Sequence, residues 1–389
     1  MKSKTLLATA FTLISLLSPV SATSTWHSIH STGFVTYSST SEVSVDGKYL
    51  KSGSERFSLH GLNLWNGIIF EDWREYLSTE VIQRVKDWNF NAISIITPWR
   101  RIEPSKDQVG AYDEEDLQDI EEIIGWCKDV DLYVIISLRA YGMWWAATHN
   151  WGPCAESIDY LLTAEGQQRY QDFLAMMIQR FDPYANVIGF NGWFFPFHGY
   201  TGKWTDPAWT ECYYDVYTPI IVNTIREYSD KTIFYSPCYQ GGTPAGDPFT
   251  EVCDTGQFSL IQPLDDNNVV YCHRFHRGRG VSGNNRGVEN GEEWDYDYAF
   301  VESQMDPGID FMNAYDVPLC ACEFGLRTQD VEITKSRLDC QDYKFQLMNH
   351  TGSYHWTYWM LGDGPTILNE DYTLNEVGEQ VVSWAQSMT

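Results

Sequence analysis

From residue 56 onward two hydrophobic periodicities alternate along the chain. Short apolar runs fall at about 57–65, 91–97, 132–138, 186–193, 232–237, 268–273, 318–323 and 353–359, and longer segments with apolar residues every three to four positions separate them. Runs with no polar face read as strands buried on both sides, the habit of parallel sheets covered by helices. Tyr170, Phe173, Leu174, Met177, Ile178 and Phe181 form one stripe on a predicted helix. Another helix is predicted over 113–130; it opens on Asp113, Glu114, Glu115 and Asp116, acids that suit the positive end of the helix dipole. Ser78 ahead of Thr79 and Glu80 supplies the cap of a third. Eight strands, each followed by a helix, predict a single closed (β/α)8 TIM barrel over 56–389, with a short polar, β-rich extension over 23–55 that plugs or flanks its bottom.

The start of the chain follows another pattern. Lys2 and Lys4 precede an apolar run from Leu6 to Leu17, then Pro19 and the small residues Ser21 and Ala22. That is the layout of a secretory signal peptide over 1–22, and it predicts an extracellular protein. The run is too short to span a bilayer, and no later stretch is long enough. With two lysines in the signal, the remaining 367 residues carry 24 basic and 53 acidic side chains, a balance that disfavours nucleic acid as a partner. All nine cysteines follow the signal, widely spaced and without paired zinc-type motifs, so disulfides are expected and a metal or cofactor is not. Nine is odd, so at least one is unpaired or links two chains. Cys320 and Cys322 alternate with Leu319 and Ala321, and at least one of them reads as a small core residue of a strand. Asn349-His350-Thr351 is a glycan acceptor motif.

In such a barrel, function belongs at the C-terminal ends of the strands and in the loops beyond them. Several landmarks there resemble glycoside hydrolase family 5: His60-Gly61-Leu62-Asn63, Trp99-Arg100-Arg101-Ile102-Glu103-Pro104, Tyr271-Cys272-His273, Pro318 through Glu323-Phe324-Gly325, and Tyr358-Trp359, all in family order. The resemblance implies a retaining β-glycosidase mechanism with two carboxylates about 5 Å apart. It places the nucleophile at Glu323, a second catalytic position at His273, and substrate contacts at Asn63, Trp99, Trp193, His198 and Trp359. It also exposes replacements. The acid/base glutamate position is Phe195 and the asparagine before it Phe194; the second-strand arginine is Ser94, the third-strand histidine Arg139, and the tyrosine beyond His273 is Phe275.

Phenylalanine can neither protonate a leaving oxygen nor activate water, transfers commonly worth about 10²–10⁴-fold in rate. Glu323 would also lose its cation and phenol, which predicts a raised pKa unless Arg139 pairs with it. Substitute acids are sought among Glu251, Asp254, Asp265, Asp266, Glu293 and Asp363, none singled out by spacing. The many tryptophans near strand ends can stack on sugar rings or pack in the core. Three functions follow: a catalytically impaired barrel binding a carbohydrate of β-glucan type or a protein partner at its mouth; an active β-glycosidase with a relocated acid; or an exported structural protein joined through its unpaired cysteine.

Overall fold

The computed structural model describes residues 43–64, 77–105, 107–139, 158–193, 211–238, 258, 261–274, 298–325, 335–352, 355–361, 367–369 and 371–388. The chain begins there with three short antiparallel strands, β1 (Val43–Asp46), β2 (Tyr49–Ser52) and β3 (Glu55–Phe57). Eight parallel strands follow: β4 (His60–Leu64), β5 (Ala92–Pro98), β6 (Tyr133–Arg139), β7 (Val187–Asn191), β8 (Thr232–Tyr235), β9 (Val269–Arg274), β10 (Leu319–Phe324) and β11 (His355–Leu361). Each pairs with the next and β11 closes onto β4, so the predicted (β/α)8 barrel and the small N-terminal sheet are both present.

Helices α1 (Thr79–Asp87), α2 (Trp99–Ile102), α3 (Glu114–Asp129), α4 (Ile158–Leu161), α5 (Ala164–Phe181), α6 (Thr218–Tyr228), α7 (Tyr298–Tyr315), α8 (Lys335–Thr351) and α9 (Glu376–Ser387) lie between or after the strands, with a π-helical turn at Tyr213–Tyr217 leading into α6. A helix follows every barrel strand except β8, after which residues 239–257 lie outside those described. Asp113 caps α3 by accepting from the backbone N–H groups of Glu115 and Asp116, and Ser78 caps α1 through Val81. The predicted stripe of α5 is buried along its whole length.

Strand alternation sorts the apolar residues into two cores. Ile93, Ile95, Val134, Ile136, Leu138 and Phe190 face the helices. Ala92, Ile96, Ile135, Ile188, Phe234, Val270, Cys272, Cys320 and Cys322 fill the barrel, where Val43, Leu50 and Leu59 join them. The small sheet of β1–β3 therefore meets the bottom of the barrel. Asn268, just before β9, accepts from Val45 N–H at 3.0 Å, and His355 at the start of β11 accepts Leu59 N–H on Nδ1 at 3.0 Å while its Nε2 meets Lys48 O at 3.3 Å. His60 holds a similar place on β4, its Nε2 2.8 Å from Asn89 O. Burial holds both imidazoles below their usual pKa, His355 down to about 4.

Candidate active site

The upper interior of the barrel changes character. Where lower positions carry Ile and Val, the inward positions now carry Asn63, Ser94, Ser137, Arg139, Asn191, Ser236 and Thr357, and His273 and Glu323 at the ends of their strands are buried as well. Polar side chains are held in such a place only by mutual bonding. Ser94 Oγ and Ser137 Oγ lie 3.0 Å apart, and Asn191 Nδ2 donates to Ser236 Oγ at 3.1 Å.

Glu323 and His273 come from neighbouring strands, β10 and β9. The register matches Cys320 with Cys272 and Ala321 with His273, then slips so that Glu323 faces Arg274. One residue before each of the two, Cys272 and Cys322 form a disulfide with Cα atoms 5.5 Å apart. The carbonyl of Cys322 also accepts from Asn63 Nδ2 at 3.0 Å and from Thr357 Oγ1 at 2.6 Å. Asn63 donates to Thr357 O as well, at 3.2 Å. The backbone that presents Glu323 is thus tied to β9 on one side and to β11 and β4 on the other.

Arg139 closes β6, four strands from β10 in an eight-stranded ring. An Arg139–Glu323 ion pair would therefore span the barrel's width. Phe194, Phe195, His198 and Phe275 lie outside the described residues, as do the proposed substitute acids Glu251, Asp254, Glu293 and Asp363. Trp359 lies within β11, and Asn349 is exposed on α8.

Four expectations need correcting. Trp99 and Trp193, expected at substrate, are fully buried on the helix side of the barrel wall. Trp99 stacks on Phe173 at 5.3 Å between ring centroids and donates its indole N–H to Glu103; Trp193 packs against Tyr217 at 4.8 Å and Tyr170 at 5.1 Å. Neither ring has a face left for a sugar. Asp265 and Asp266 precede the N-terminal end of β9, on the floor rather than at the mouth, and Asp266 is locked to Arg226 with both side chains buried.

Sequence reasoning missed the ring of small polar residues; it expected disulfides, and the structure shows one, but it did not give the pairing of Cys272 with Cys322. The ring had a signal, since Ser94, Ser137 and Thr357 interrupt runs that are otherwise apolar on the same face. Glu103 was read as part of a family landmark, and its role is structural. At 1% exposure it accepts from Trp99 Nε1, from Gly110 N–H at 2.7 Å and from Arg169, tying the segment after β5 to α5.

No protein of curated function matches the chain in sequence. Solved structures match in fold. Thermotoga maritima Cel5A in complex with cellobiose is 16% identical, with 84% of this chain and 96% of that one covered and a TM-score of 0.61. Endo-glycoceramidase II from Rhodococcus sp. is 17% identical over 84% and 78%, TM-score 0.61. The cellulose synthase subunit Z of Clostridioides difficile is 15% identical over 84% and 99%, TM-score 0.59. Residues 50–365, most of the chain, match the family model described as Cellulase (glycosyl hydrolase family 5). With the closed barrel and the strand-end glutamate already in view, the chain belongs to glycosyl hydrolase family 5.

Proposed function

We propose that this is a secreted family 5 barrel whose hydrolytic power is impaired and whose mouth binds a carbohydrate of β-glucan type or a protein partner. The observation that carries the proposal is Phe195, which stands in the chain where the family's acid/base glutamate is expected. A barrel without that proton donor still offers a polar, buried ring and a carboxylate to hydroxyl-bearing ligands. The changes at Ser94 and Phe275 support the same reading, because they remove the side chains that, in the family, would keep the nucleophile ionised.

A second reading is an active retaining β-glycosidase, favoured by the placement of Glu323. It is presented from a strand end clamped on both sides, the preorganisation a nucleophile needs. The third reading, a matrix protein joined through a spare cysteine, finds no fully exposed thiol among the described residues. Among the described residues the thiols outside the disulfide are buried at Cys127, Cys238 and Cys320 and half-buried at Cys212.

The test is hydrolysis of soluble β-glucans, mannan, xylan and activated aryl β-glycosides by the mature protein, beside Glu323→Gln and Phe195→Glu. The proposal expects no polysaccharide turnover by the wild type and a gain of about 10²-fold or more on restoring the glutamate. Turnover by the wild type that Glu323→Gln abolishes would establish the second reading instead.

A further inference from the structure

Three cysteines share the interior of the barrel on two neighbouring strands. Cys272 stands on β9, while Cys320 and Cys322 stand two residues apart on β10 and so on one face of it. All three belong to the cluster inside the barrel. Cys272 is bonded to Cys322. Its partner in strand register, however, is Cys320, a buried thiol. Paired strands lie about 4.8 Å apart, inside the Cα separation of about 4.4–6.8 Å that a disulfide accepts. Cys272 therefore has two sulfurs within bonding reach, one layer above the other.

The two pairings do different things to the mouth. Bonded to Cys322, Cys272 ties the residue before His273 to the residue before Glu323, across the register slip between Ala321 and Glu323. Bonded to Cys320, it would tie the strands one layer lower. The Glu323 end of β10 would then rest on the carbonyl bonds from Asn63 and Thr357.

We propose that Cys320 is a resolving thiol, and that the bond of Cys272 shifts from Cys322 to Cys320 in an isomerisation that loosens the strand end carrying Glu323. Cys320, as thiolate, attacks the Sγ of Cys272. The Cys272–Cys322 bond breaks, and the Cys322 sulfur leaves as a thiolate that takes up the proton Cys320 gave up. One disulfide and one thiol stand on each side of the step, so no oxidant or reductant is consumed. Burial pushes the Cys320 thiol well above its ordinary pKa, which keeps the thiolate scarce and the exchange slow while the barrel interior stays closed. The upper pairing is the resting one, and local opening of β9 and β10 admits the lower.

The consequence for Glu323 rests on the site reading above; the bond shift does not. The experiment maps disulfides by mass spectrometry in the acid-quenched, alkylated mature protein, for the wild type, Cys320→Ser and Cys322→Ser. Cys322→Ser is expected to hold a Cys272–Cys320 bond, Cys320→Ser only Cys272–Cys322, and the wild type both isomers after incubation in a glutathione redox buffer. Cys322→Ser that is folded by circular dichroism yet leaves Cys272 alkylated overturns the proposal. Should that variant fail to fold, the wild type decides: Cys272–Cys322 alone after glutathione treatment overturns it. Hydrogen exchange then reads the loosening. Amides of 322–325 are expected to exchange at least roughly tenfold faster in Cys322→Ser than in Cys320→Ser, and equal rates overturn the release of Glu323. Neither readout uses sugar binding or turnover, so a failed functional reading leaves both interpretable.

Discussion

His355 makes the bottom of the barrel sensitive to acid. It is fully buried; Nδ1 accepts Leu59 N–H, which leaves Nε2 to carry the proton and donate it to Lys48 O. A second proton would have to enter on Nδ1, directly against the Leu59 N–H. Burial accordingly depresses the pKa to about 4 from 6.5. A histidine depressed in the fold contributes stability that is whole above its unfolded pKa and is lost as pH falls through the folded one, because the unfolded chain binds the proton first. The full shift is worth about 3 kcal/mol at 1.36 kcal/mol per unit, and about 2 kcal/mol of it is gone by about pH 5. The perturbation is His355→Asn, whose Oδ1 still accepts Leu59 N–H but does not titrate. Urea unfolding of both proteins at pH 7.5, 6 and 5, followed by tryptophan fluorescence, gives the difference in which shared carboxylates cancel. The wild type should lose about 2 kcal/mol more than the variant between the ends of that range. Parallel losses in the two proteins would refute the argument.

Two further perturbations test the packing outside the mouth. Glu103→Leu strands the guanidinium of Arg169, which is 5% exposed and ion-paired to it at 2.9 Å; chemical denaturation should show a loss of about 3–5 kcal/mol, with Glu103→Leu/Arg169→Leu costing less than the two single changes combined. Trp193→Ala empties an aromatic site between Tyr170, Tyr213 and Tyr217 and should cost about 3–5 kcal/mol of stability, while calorimetric affinity for a carbohydrate ligand, per folded molecule, stays unchanged.

The barrel was legible because its strands are buried on both faces, so each reads as a short, mostly apolar run with no competing helical period. Each expected run overlaps its strand from β4 to β11, with ends displaced by at most three residues. The cap at Ser78 and the acidic start of the helix at Asp113 were equally plain, since their signals are local. The two tryptophan errors share one cause: position along a strand says where a side chain sits in height, not which side of the wall it faces. Trp99 and Trp193 follow strand ends, as substrate-binding residues would, yet point among the helices. For Asp265 and Asp266 the height itself was misjudged, because a residue just ahead of a strand belongs to the floor. The disulfide depends on the closure that brings β9 beside β10 in one register, information that no local pattern of cysteines carries. Glu323 was singled out through the family resemblance, on a setting, an apolar strand running into Glu-Phe-Gly, that is specific in the sequence.

The hairpin that seals the floor has a bearing on how the chain comes to be folded. It is made near the beginning of synthesis, yet what it grips lies far downstream: Asn268 is 223 residues beyond Val45, Asn313 is 265 beyond Lys48, and His355 is 307 beyond it. Contacts of such range form late, because the loop that joins them must close first. During translation or translocation Val43 and Leu50 have no cavity to enter until β9 and β11 have emerged. The floor is thus sealed late, and for that interval the nascent chain carries a hairpin whose Val43 and Leu50 are unseated, a segment that a holding chaperone would have reason to cover.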